Sequence, residues 1–352
     1  MIVYLVVCIA CAAVLAVVYK SIPYFRFAYP SAKVQAIGNP FVEEREINKL
    51  LELKSLESFK NAVNSFKDYK LKGERACEIH SSLEDHLIES IEMLKRDCTK
   101  KLRKFFDAYI NLRDGEKLKH VIKKKIAGEK IEEVKVFSQE ARRLINLIKF
   151  SSLEEIPDLI KDTYKELADL LRKGERDTFA IDASIDRENL KRLMEVKVPK
   201  EVREIYKEFV LRIIDVMNIR NILRGKWLGY DENSCRKLLV GEGFEVPKWR
   251  IEEMLRAKSI NDAIKALEGT RYFNYMKEHI GDIRSVQPLE TALDKALLSI
   301  GSEISTKNYP LLGPIIDFLI AKEMEIRNLK IICKGIEDKL KPERMKNLLV
   351  VR

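Results

Sequence analysis

The stretch that decides the fold is Asp215-Val-Met-Asn218-Ile219-Arg220-Asn-Ile222-Leu223-Arg224-Gly225. At about 100° per residue, Ile219, Ile222 and Leu223 form one apolar stripe of a helix. Asp215 and Asn218 fall inside that stripe, not opposite it. The pattern returns near the C-terminus as Glu325-Ile-Arg-Asn328-Leu329-Lys330-Ile-Ile332-Cys333-Lys334-Gly335. A weaker copy runs Asp114-Gly-Glu-Lys117-Leu118-Lys119-His-Val121-Ile122-Lys123. A carboxylate or amide on the inward side needs partners, because burying it unpaired costs several kcal/mol. Two readings follow. The residues pin helices together in a polar network, or they line an inner cavity that receives a partner. The candidates are Asp114, Lys117, Asp215, Asn218, Glu325 and Asn328. Gly225 and Gly335, each preceded by a basic residue, read as helix stops.

A second element is interleaved with the first. Leu51-Glu-Leu-Lys-Ser55-Leu56 recurs as Ile148-Lys-Phe-Ser-Ser152-Leu153 and as Leu255-Arg-Ala-Lys-Ser259-Ile260. Each Ser suits a helix N-cap, since its hydroxyl can accept an orphan amide proton of the first turn. The two elements alternate along the chain, so it reads as three copies of a helical unit of about one hundred residues. The units are placed at 28–130, 131–240 and 241–352. Pro199, Pro288 and Pro342 stand where helices would begin, a position that tolerates the missing N–H. No stretch sustains period-2 alternation. With 14 Gly and 10 Pro in 352 residues, the chain has little material for hairpin turns. The fold class is therefore all-α.

Composition narrows the function. Hydrophobic residues make up 46% and charged residues 34%, a mix that supports a folded helical body. The net charge of +10 suits an anionic surface, an acidic partner or simply a Lys-rich solvated exterior. The run Lys117 to Lys130 has few aromatic residues, which argues against nucleic acid. The six Cys show neither a disulfide framework nor zinc-ligand spacing. Cys8 and Cys11 sit in an apolar run and read as lipid-facing or packing residues. A reduced, cytoplasmic body is expected. No phosphate-binding GxxxxGK[ST] loop, HExxH, GxSxG or GxGxxG occurs. The sequence therefore offers no catalytic constellation, metal site or cofactor site.

Ile2 to Tyr19 is uncharged and almost wholly apolar. Eighteen helical residues rise roughly 27 Å, enough for a bilayer core. Lys20, Arg26 and Lys33 follow the run and no basic residue precedes it. That asymmetry keeps the body on the cytoplasmic side. The rival readings are a cleaved signal peptide, which normally carries a basic leader, and sequence upstream of a later start. Residues 1–20 are thus expected to associate with a membrane as one N-terminal hydrophobic helix.

The ordered motifs resemble a known family. They are Asn218-Ile-Arg-Asn-Ile-Leu-Arg-Gly225-Lys226 with Leu228-Gly229, Ala257-Lys-Ser-Ile-Asn-Asp-Ala263 through Thr270-Arg-Tyr272, and Gly313-Pro314 followed by Ala321-Lys-Glu323-Met-Glu325-Ile-Arg-Asn328. Tyr29-Pro-Ser-Ala32-Lys-Val34 is similar to the family's opening. Over about residues 28 to 352 the chain resembles the C subunit of archaeal A-type ATP synthases, the relative of the d subunit in vacuolar-type ATPases. The resemblance implies an all-α funnel of three pseudo-threefold-related repeats. Its mouth would hold the central-stalk rotor subunits and its narrow end would sit on the membrane rotor ring. A protein of this kind transmits torque for proton- or sodium-driven ATP synthesis, and catalysis belongs to other subunits. The runner-up is a membrane-tethered helical adaptor for protein or anionic lipid. Two features depart from the family: Lys117 stands where the other copies have Asn, and the apolar Ile2–Tyr19 is not expected.

Overall fold

A computed structural model describes residues 2–352. The described residues form seventeen α-helices and four short 3₁₀ turns, with no strand among them. The seven longest helices are labelled α1 (Ile2–Ile37), α2 (Ala76–Asp97), α3 (Arg103–Ile126), α4 (Thr178–Met194), α5 (Arg203–Trp227), α6 (Gln287–Lys307) and α7 (Gly313–Glu337). The last six form three hairpins, α2–α3, α4–α5 and α6–α7. Each helix packs on the next in chain order, and α7 packs back on α2, closing a circuit. Shorter helices join the hairpins around the outside.

The decisive stripe is buried as its period requires. Ile219, Ile222 and Leu223 are core residues, as are Leu329, Ile332 and Cys333, and Leu118, Val121 and Ile122. They belong to two apolar clusters. One gathers Leu118, Val121 and Ile122 with the helix Gln139–Phe150, and the other runs from Phe27 to Val350. Ser55 and Ser259 cap helices, accepting the amide protons of Ser58 and Asp262 at 3.1 Å. Ser152 does not: its own N–H donates to Glu155 at 2.8 Å, and the helix starts later, at Ile156 beside Pro157. The proline fixes the later start by favouring the first helical turn.

Gly225 and Gly335 are not the stops. α5 and α7 run through them to Trp227 and Glu337. The chain reverses at Gly229 (φ 76°) and Lys339 (φ 54°). Tyr230 then donates its N–H to the Gly225 carbonyl at 2.9 Å, and Leu340 to Gly335 at 2.8 Å. α3 ends the same way, with Gly128 (φ 69°) reversing the chain and Glu129 donating to Lys124 at 2.9 Å. All three are Schellman ends, with the left-handed residue just beyond the helix. What demands glycine at 225 and 335 is close packing. A Cβ would lie 2.7 Å from Cys235 Sγ at the first and would overlap Met345 Sδ at the second.

α1 has two parts. Its side chains near the start, among them Tyr4, Ile9, Leu15 and Tyr19, are more than half exposed. Side chains of residues 1–3, 5, 8 and 23, and so the reading of Cys8, lie outside the described set. Cys11 is exposed. By length and composition Ile9–Ile37 is the one described helix able to cross a membrane. From Arg26 onward α1 joins the body, with Phe27, Ser31 and Val34 buried. It touches all three hairpin turns. Lys33 pairs with Asp97 at 2.7 Å, Arg26 lies 3.9 Å from Glu201, and the Ser31 hydroxyl donates to the Pro310 carbonyl at 2.8 Å. One end of the helical circuit therefore carries both the turns and the root of α1.

Candidate functional site

Five of the six candidate residues, on α3, α5 or α7, are buried; Lys117 is partly exposed. Their partners are mainly backbone groups of extended straps outside the helices. The Asp215 carboxylate accepts N–H groups from Phe244 (3.1 Å), Glu245 (2.8 Å) and Val246 (3.2 Å), and the Tyr272 hydroxyl at 3.1 Å. Gly243 lets the strap come this close, since a Cβ there would overlap Asp215 Oδ1. Burial still raises the Asp215 carboxyl above its ordinary range, against the pull of those donors. Asn218 donates to the Gly241 carbonyl and accepts from Val240 N–H, both at 2.8 Å. On α3, Asp114 accepts from Phe137 at 3.1 Å and Ser138 at 2.6 Å, and burial likewise raises it.

On α7 the strap comes from the other end of the chain. Glu325 accepts Phe41 N–H at 2.9 Å, and Asn328 donates to the Phe41 carbonyl at 2.9 Å. Asn328 also donates to the Val350 carbonyl at 2.7 Å and accepts Val350 N–H at 2.9 Å. Glu325 has a second partner that periodicity did not single out. Lys322, also buried, reaches its other oxygen at 2.5 Å and lies 5.1 Å from the Tyr69 ring centre. Thus these five buried polar groups have polar partners, and they bind straps to helices.

The open polar space lies mainly on other faces of the same helices, and of the five buried residues Asp114 alone reaches its wall. A cavity of about 510 Å³ is lined chiefly by α2, α3 and α7, and one of about 380 Å³ by α3, α5, α6 and α7. They share Arg113, Gln287, Glu323 and Arg327 as walls. Lys117 opens into the first and pairs with Glu84 at 2.9 Å. Lys330 reaches the same carboxylate at 2.7 Å. Burial opposes the charged form of Glu84, but Lys330 and Lys117 outweigh it and hold the carboxyl below its ordinary value. Arg113 meets Glu323 at 3.3 Å, and Arg224 holds Glu290 through two bonds, at 2.5 and 2.9 Å. Asp294 accepts from Arg220 at 2.7 Å and also from Arg327. Such half-exposed pairs can exchange partners with an incoming charged surface. No group of His, Cys, Asp and Glu among the described residues is arranged to hold a metal ion.

Sequence reasoning missed most of this cavity. One signal was available. Lys119, Arg220 and Lys330 occupy the same register of the repeated element. Each pairs with an acid on the first helix of another hairpin: Asp186 at 2.6 Å, Asp294 at 2.7 Å and Glu84 at 2.7 Å. The acids lie outside the repeated element, so no local pattern marked them.

Comparison with known protein families matches residues 30–348 to the ATP synthase (C/AC39) subunit family. The chain belongs to this family. Among its relatives is the A-type ATP synthase C subunit of Methanothermobacter thermautotrophicus, 28% identical over 345 residues, covering 94% of this chain and 89% of the relative. That of Methanocaldococcus jannaschii is 27% identical over 350 residues, covering 92% and 86%. That of Pyrococcus horikoshii is 27% identical over 348 residues, covering 95% and 92%. In this member of the C/AC39 family, the match takes in α2 to α7 and every candidate residue, and it leaves out residues 1–29.

Proposed function

We propose that this chain is the non-catalytic central-stalk component of an A/V-type rotary ATP synthase. It couples the rotor stalk of the ATPase head to the membrane rotor ring for proton- or sodium-driven ATP synthesis. The observation that carries this reading is the charged cavity enclosed by α3, α5, α6 and α7, with every hairpin supplying walls. A socket for a rotating partner needs a rigid rim and an interior of adaptable charge. The closed circuit of helices supports the first, and the half-exposed pairs support the second.

Within this reading the three units are 28–130, 131–240 and 241–352. With these boundaries Phe137–Ser138, Gly241–Val246 and Phe41 each join one unit to another, as do the ion pairs of Lys119, Arg220 and Lys330, while Val240 and Val350 bind the Asn of their own units. Asp114, Asp215, Asn218, Glu325 and Asn328 then pin units, while Lys117 contacts the partner. The protein lies on the cytoplasmic face of the membrane, anchored by α1, whose exposed apolar start supports a tether.

The test uses the full chain in detergent, titrated with the central-stalk subunits. An Arg113→Glu/Arg327→Glu variant should bind at least tenfold more weakly with its helical content unchanged. Unchanged affinity would remove the cavity from the coupling role.

A further inference from the structure

The cations of the central cavity have acidic partners. At the turn end of the helical circuit a second set does not. Lys100 and Lys101 come from the α2–α3 turn and Lys104 from the first turn of α3, while Lys197 and Lys200 come from the α4–α5 turn and Arg203 from the start of α5. They line one open cleft of about 510 Å³ that has no acidic residue in its lining. All six are exposed, and none forms an ion pair among the described residues. Like charges at this density repel one another, and folding alone gives no reason to gather them. The two turns share a design that explains the convergence. Each makes a 3₁₀ turn, Lys100–Leu102 and Lys200–Val202, that buries its apolar residue and turns its cations outward. The third turn, Asn308 to Leu312, has no cation, and Lys307 just before it pairs with Glu303, so the unpaired positive face is confined to one side.

The position of α1 says what this face meets. The one acid between Lys197 and Arg203, Glu201, lies 3.9 Å from Arg26 of α1. Arg26 stands where the exposed apolar part of α1 gives way to the part seated in the body. The cleft therefore opens beside the root of a helix long and apolar enough to cross a bilayer. With α1 in a bilayer, a surface beside its root would face lipid headgroups.

We propose that the cleft of Lys100, Lys101, Lys104, Lys197, Lys200 and Arg203 is a binding site for the phosphate groups of anionic phospholipids in the bilayer that α1 enters. The inference rests on the reading of α1 as a membrane anchor. Each lysine or arginine at an anionic surface contributes roughly a fivefold gain in binding. Six on one side would fix the tilt and rotation of the body about its single helix, which an apolar anchor alone leaves free.

The experiment places the full chain in nanodiscs of pure phosphatidylcholine or of phosphatidylcholine with phosphatidylglycerol, and follows amide hydrogen exchange. Insertion of α1 should protect residues 4–22 in both discs. The turns 98–104 and 197–203 should exchange several-fold more slowly only in the anionic discs, and high salt should abolish the difference. Lys100→Glu/Lys101→Glu/Lys197→Glu/Lys200→Glu should remove that protection and leave α1 protected. These side chains are exposed, so the fold should survive, which the exchange of α5 and α7 reports directly. Exposed α1 residues in both discs would defeat the anchor reading. A protected α1 with turns indifferent to lipid charge would defeat the lipid site alone. Protection that appears only on adding the rotor ring, whatever the lipid, would assign the cleft to an acidic protein surface and overturn the proposal.

Discussion

Asn328 grips Val350 by both ends of its amide, donating to the carbonyl at 2.7 Å and accepting the N–H at 2.9 Å. Asn218 makes the corresponding pair of bonds across Val240 and Gly241. Asn218→Ala or Asn328→Ala should each lower stability by about 1–3 kcal/mol, because buried strap groups lose their partners. Urea unfolding measures that loss. Affinity for the central-stalk subunits, taken well below the melting temperature, should stay the same. Lost binding with an unaltered melt would reverse the assignment of these residues to pinning.

The burial of these residues was legible because a helix has a fixed period. Asp215 and Asn218 had to share a face with Ile222. Their partners were not legible, because a strap such as Gly241–Val246 has no period and is recognised only by the donors it offers. Lys322 was missed for a related reason: its charge is cancelled by Glu325, a residue already counted. Gly225 was misread because a glycine after a basic residue near a helix end fits both a stop and a contact, and only Cys235 in space separates the two.

Lys339 takes the place of a glycine. It holds φ at 54° at the end of α7, where α3 and α5 have Gly128 and Gly229. A side chain in that region is strained by roughly 1–2 kcal/mol. Lys339→Gly should relieve this, less the added entropy of glycine in the unfolded chain, for a net gain of about 0.5–1 kcal/mol. A lower melting temperature for the variant would contradict the assignment.

Asp294 is the single carboxylate between Arg220 and Arg327. Burial makes the charged form of both guanidiniums less favourable, and nearby arginines add to the effect: Arg224 on Arg220, and Arg220 on Arg327. Asp294→Ala should therefore destabilise by about 1–3 kcal/mol, below the full cost of a buried broken pair because the arginines remain part-exposed. The deficit should shrink as salt is raised, as a series of melts in sodium chloride would record.

His86 predicts an acid-sensitive fold. Burial, and then the charge of Lys322, push its imidazole down to about 4 from an ordinary 6.5. Between those values the unfolded chain takes up a proton that the folded chain refuses. Stability from this group is therefore complete above pH 6.5 and falls as pH drops toward 4, by at most about 3 kcal/mol. Its ring centre lies 4.0 Å from that of Tyr69, the two planes tilted by 34°. His86→Phe should keep that contact and flatten this part of the profile, so urea midpoints of variant and parent should diverge at pH 5 and converge near pH 7.5. Equal slopes would show that other groups govern the acid limb.

The strap on α7 gives the chain a distinctive birth order. Phe41 is synthesised 287 residues before Asn328, the side chain that holds its carbonyl. Val350, held by the same amide, is synthesised 22 residues after Asn328, and Arg352 then donates its N–H to Val42 at 2.8 Å. During translation the early segment must remain unlatched while α2 to α6 emerge and pack. The circuit shuts only when α7 clears the ribosome. A nascent chain arrested before residue 325 would thus expose the inner side of α2, and that open edge is where a chaperone, or a second unfinished copy, would take hold.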